Sequence, residues 1–167
     1  LKADFQNICG YCGKDSQIMH ENFHIDHFVP LEIAPEREED YYNLVLSCPK
    51  CNLIKSSKWP TKDKNVAHDE CRGFIDPATE EYDRHIERDE RGYIQGKTVL
   101  GKNVCENFNF HIRRTDLYWK IYHLYKIQEQ LEYLYDENKL EEAEKNYYIE
   151  SNKLLKQYIE EAFAKGE

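Results

Sequence analysis

No stretch of this chain approaches the roughly 20 consecutive apolar residues that a membrane-spanning helix needs. A mean hydropathy of -0.87 and 33% charged residues exclude a membrane protein. Nothing near the N-terminus resembles a signal peptide, and the first residue is Leu1 rather than Met; the expected location is cytoplasmic. A basic excess is missing as well. The 23 Lys and Arg stand against 32 Asp and Glu, for a net charge of -9, which speaks against a simple nucleic-acid coat protein. No aromatic RNP-type motif and no recognition helix is visible, so the sequence names neither an RNA nor a base-specific DNA reader.

The charge is unevenly placed. Lys50, Lys55, Lys58, Lys62 and Lys64 crowd one short region, whereas Glu141, Glu142, Glu144, Glu150, Glu160 and Glu161 lie in the C-terminal third. A local basic stripe can hold a phosphate backbone while the rest of the chain is acidic; an ordinary solvated helix face is the other reading of those lysines.

Cysteine is plentiful. Six occur in 167 residues, and without an export signal they point to metal binding rather than a disulfide framework. Cys9-Gly-Tyr-Cys12 and Cys48-Pro-Lys-Cys51 have the CxxC spacing of zinc knuckles. Cys71 and Cys105 are left over and read as buried or reduced free thiols, with a second metal site using His68, Cys71 or Cys105 as the alternative. Between the knuckles lie His24-Ile-Asp26-His27 and Asn43, and Asn52 follows Cys51 directly.

The pattern predicts an α+β chain. Phe23 to Val29 is aromatic and β-branched and stops at Pro30, as a strand does. Leu44 to Ser47 reads as a second strand, and Asn52 to Lys58 as a short helix ended by Trp59-Pro60. A hairpin this short is not stable alone; a zinc ion worth on the order of 10 kcal/mol can fix it. Glu80 to Arg88 reads as a strand, Asp89 to Gly92 as a turn, and Tyr93 to Gln95 as the returning strand. From Arg114, apolar residues recur at three- and four-residue steps in two runs, Leu117 to Tyr135 and Leu140 to Phe163, broken near Asp136–Lys139 and continuing to Gly166. This predicts a helical hairpin. The expected divisions are 1–70, a core with zinc knuckles; 71–113, an extension with a β-hairpin; and 114–167, the helical hairpin.

Phosphodiester hydrolysis needs a base for water and a cation for the charge that builds on the phosphate. His27 has the chemistry of the base. Asp26 and Asn52 offer oxygen ligands to a hard cation, Mg²⁺ or Mn²⁺. Asn43 can hydrogen-bond backbone and hold the site in shape. Lys55 and Lys58 can meet phosphates as point charges. His24 shares a strand face with Asp26 and is read as structural.

These residues resemble the HNH endonucleases, whose site is the ββα-metal fold. The family pattern is an Asp-His or His-His pair, a middle Asn, and a final His or Asn at the helix start; here Asp26-His27, Asn43 and Asn52 make an H-N-N variant. The resemblance implies His27 as general base, Asp26 and Asn52 as metal ligands, Asn43 as orienting residue, and a structural zinc on Cys9, Cys12, Cys48 and Cys51. Some members carry a further His one turn after the last motif residue; this chain has Ser56 there. The resemblance also suggests a stand-alone bacterial protein serving phage defence, restriction or mobile-element movement. The segment from Gly73 to Gly101 is similar to extensions of such proteins and assigns no chemistry.

Expected partners are nucleic acid, DNA first, and through the helical hairpin either a second copy of the chain or another protein. The competing readings are a zinc-stabilised interaction module without catalysis and an RNA-directed nuclease. An adaptor has no need of the Asp-His, Asn and Asn set between the knuckles.

Overall fold

The computed structural model describes residues 1–137 and 139–164. It divides into two compact units, Leu1–Thr115 and Asp116–Glu167.

In the first unit, strand β1 (His24–His27) pairs antiparallel with β2 (Leu44–Ser47), from His24 opposite Ser47 to His27 opposite Leu44. Helix α1 (Pro49–Lys55) follows at once, which gives a ββα arrangement within an α+β chain. The first strand is shorter than the Phe23–Val29 expected, because the loop closes on it immediately: Phe28 N–H donates to the Asn43 carbonyl and Val29 N–H to the Asn43 side chain. Helix α1 begins earlier than Asn52 and ends before Lys58. Cys48 caps it, its sulfur accepting from Cys51 N–H, and Pro49 takes the first turn, where no N–H is needed. Ser56, at φ +46°, ends it.

The predicted strand from Glu80 to Arg88 is instead helix α2 (Glu80–His85) running directly into strand β3 (Ile86–Arg88). The charges explain the helix: Glu80, Glu81 and Asp83 lie in its first turn and Arg84 and His85 in its last, each sign at the favourable end of the dipole. Strand β4 (Ile94–Gly96) returns antiparallel to β3, one residue later than predicted. Helix α3 (Val99–Asn107) has no counterpart in the sequence reading. Thr98 caps it by accepting from Gly101 N–H, and Leu100, Val104 and Phe108, four residues apart, are all buried. Gly101 brings α3 against His85, whose carbonyl would lie 2.0 Å from any Cβ there.

One core joins these pieces. Phe108 stacks on Tyr11 at 4.7 Å and on Phe110 at 5.3 Å, and Phe74 meets it edge-on. The knuckle cysteines, Val45 and Leu100 are buried in the same cluster.

The second unit holds helices α4 (Thr115–Asp136) and α5 (Glu142–Ala164). They run antiparallel, since the Tyr148 hydroxyl donates to Glu132 and Lys120 lies over the Tyr158 ring. In the expected break, Asn138 lies outside the described residues, as does Gly166 at the expected end. Among the described residues no helix is long and apolar enough to cross a membrane.

Candidate active site

The four knuckle cysteines converge. All are buried, and their sulfurs lie within 4.8 Å of one another. Four sulfurs about 2.3 Å from a tetrahedral zinc are about 3.8 Å apart, and Cys12 and Cys48 lie 3.7 Å apart. The thiol set therefore fits a structural zinc. Among the described residues no other group has this convergence. Cys71 is exposed, and Cys105 is half-buried, with burial pushing its thiol up to about 11.

Sequence reasoning missed a cation beside these thiols. Arg113 is buried, donating from Nη1 to Cys51 Sγ at 3.3 Å, and its guanidinium lies 5.4 Å from the Phe110 ring centre. Burial works against its charge, and the Cys51 and Cys12 sulfurs outweigh burial, holding it protonated above its usual range. A zinc with four thiolates is net negative, so this guanidinium compensates charge where water cannot. Outer partners of this kind are worth about 10–100-fold in metal affinity; Arg113→Met should release zinc to a colorimetric chelator at correspondingly lower chelator concentration, while unchanged release would contradict the role.

Asp26, His27 and Asn52 line one cleft of about 230 Å³, together with Ile25, Pro30, Leu31, Glu32, Ser56 and Ser57. Asp26 and His27 are placed by the end of β1, and Asn52 by the first turns of α1. His27 Nε2 lies 3.0 Å from the Glu38 carbonyl. A carbonyl only accepts, so Nε2 carries the hydrogen and Nδ1 keeps its lone pair. Asn43 is buried and does not line the cleft. It clamps the loop that supplies Glu38: Oδ1 accepts from Val29 N–H at 2.8 Å, and Nδ2 donates to the carbonyls of Val29 and Arg37.

Asp26 Oδ2 accepts from the Tyr11 hydroxyl at 2.6 Å and faces Lys55 Nζ at 3.4 Å. Among the described residues nothing hydrogen-bonds to Oδ1. Burial pushes the Asp26 carboxyl up, against the pull of Lys55, and burial pulls Lys55 down. The Asn52 amide donates from Nδ2 to His24 Nδ1 at 3.1 Å, which leaves Asn52 Oδ1 as an open oxygen. Two oxygen donors on one cleft wall suit a hard divalent cation.

The lysine stripe divides. Lys55 is 0% exposed, tied to Asp26 and to the His27 carbonyl, so it is a buried counter-charge and cannot meet a phosphate as expected. Lys64 pairs with Glu36. Lys50 and Lys58 are exposed. Glu32 and Ser57 are cleft residues that the sequence reading did not single out; they sit in polar loop and helix-end sequence without a spacing signal.

Residues 9–58 match the family model for HNH endonuclease. This segment is similar to the HNH endonucleases. The HNH family consists of metal-dependent nucleases that act on nucleic acid, and the matched segment contains both thiol knuckles and every residue of the cleft. No curated protein and no solved structure matches the chain.

Proposed function

We propose that the chain is a divalent-metal-dependent endonuclease that hydrolyses phosphodiester bonds in DNA. The observation that carries this reading is the cleft in which Asp26, His27 and Asn52 meet, with His27 oriented by a backbone carbonyl.

Asp26 and Asn52 would hold Mg²⁺ or Mn²⁺ through their free side-chain oxygens. When bound, the cation supplies positive charge to the phosphate as negative charge builds on its oxygens. His27 Nδ1 takes the proton of the attacking water, and Nε2–H, anchored on Glu38, keeps the ring turned for that task. Asn43 fixes the loop on which the anchor depends. Tyr11 and Lys55 hold the inner oxygen of Asp26. Lys58, next to the cleft residue Ser57, meets a flanking phosphate.

The DNA assignment is tested by incubating the zinc-loaded protein and Mn²⁺ with DNA and RNA strands of one sequence. Cleavage of DNA at the higher rate is expected, and cleavage of RNA alone would move the reading to an RNA nuclease.

We further propose that the second unit mediates self-association. Tyr133 and Tyr135 are each 63% exposed and Phe163 is 70% exposed. In sedimentation experiments the chain should associate, and Tyr133→Glu with Phe163→Glu should return it to a monomer; a monomeric wild type would contradict this role.

A further inference from the structure

The shortest hydrogen bond to Asp26 comes from a residue outside the Asp-His, Asn and Asn set. Tyr11 lies between the two thiols of the first knuckle, and at 2.6 Å its hydroxyl makes the short contact of a charge-assisted bond to Asp26 Oδ2. The ring is held independently of that bond. It is 1% exposed, stacks on Phe108 at 4.7 Å, and is flanked by Cys9 and Cys12 of the thiol cluster. The Tyr82 hydroxyl donates to the Tyr11 backbone carbonyl at 2.7 Å rather than to the ring. The donor is therefore fixed by the knuckle, whereas a carboxylate is free to rotate about its last torsion. With Oδ2 taken by Tyr11 and faced by Lys55, Oδ1 is the oxygen left for the cleft.

We propose that Tyr11 is a positioning residue for the cation site: it locks the Asp26 carboxylate with Oδ1 available to the cleft, and so couples the structural thiol cluster to the active site. This rests on the reading of Asp26 as a cation ligand. A zinc knuckle in this arrangement does more than staple the fold, because the residue between its thiols sets the geometry of a ligand 15 residues further on.

The test compares wild type, Tyr11→Phe and Tyr82→Phe, all as full chains with zinc retained. Tyr82→Phe is the matched control: it also removes a buried hydroxyl bound to the same knuckle, without touching Asp26. The readout is the Mn²⁺ dissociation constant from the electron paramagnetic resonance of free Mn²⁺, which needs no turnover. Tyr11→Phe should weaken Mn²⁺ binding about 10-fold, with zinc content and melting transition close to wild type, and Tyr82→Phe should leave Mn²⁺ binding unchanged. Equal affinity in wild type and Tyr11→Phe overturns the proposal. So does an equal loss in both variants, or loss of zinc from Tyr11→Phe alone, since either makes the hydroxyl a part of the fold only. A wild type that binds no Mn²⁺ overturns the ligand reading of Asp26, and this proposal with it.

Discussion

Replacing His27 with alanine is expected to lower the cleavage rate by about 10²–10⁴-fold, the usual worth of a positioned base. The fold should survive, because the ring is half-exposed and, among the described residues, its side chain hydrogen-bonds only the Glu38 carbonyl. Nucleic-acid binding should survive too, since the proposed phosphate contacts, Lys58 and the cation, do not include His27. Acid should weaken the wild type through Asp26. Burial raises that carboxyl above its ordinary value, so it picks up a proton, and loses its hold on a cation, at a higher pH than an exposed aspartate. Activity should therefore rise with pH as Asp26 loses its proton. Equal rates for wild type and His27→Ala, in protein shown free of contaminating nuclease, would remove His27 from the mechanism.

Loss of the thiol cluster should have the largest effect on stability. Cys48 is a candidate zinc ligand, the cap of α1 and the residue that joins β2 to it. A structural zinc contributes about 10–16 kcal/mol at neutral pH, comparable with the whole stability of a domain, about 5–15 kcal/mol. Cys48→Ser should therefore unfold the first unit rather than slow it. Hydrogen exchange at the amides of β1 and β2, with zinc content measured in parallel, reads this directly. Slow exchange in a Cys48→Ser protein with one zinc retained would contradict the account.

The ββα core was legible because its signals are local. CxxC spacing, the β-branched strands and the Asn next to Cys51 each lie within a few residues, and the cleft brings Asp26, His27 and Asn52 together. The contacts that complete it are not local. Lys55 reads as one member of a basic stripe, and only the packing of α1 against β1 turns it inward to Asp26. Tyr11 looks like knuckle filler, and Arg113 lies 62 residues from the sulfur it contacts. Helix α2 reads as a strand because Tyr82 and Ile86 among charges also fit a half-buried strand; the placement of its end charges is the better signal. Helix α3 was hidden by Gly101, a weak helix former that is needed for the close approach to His85.

The most direct measurement is nicking of supercoiled plasmid by the purified, zinc-loaded chain, with Mg²⁺, with Mn²⁺, and with enough EDTA to remove those ions while the zinc is shown to remain. The cleft predicts cleavage with Mg²⁺ or Mn²⁺ and none with EDTA. Undiminished cleavage in EDTA, or no cleavage of any nucleic acid with either ion, would contradict it.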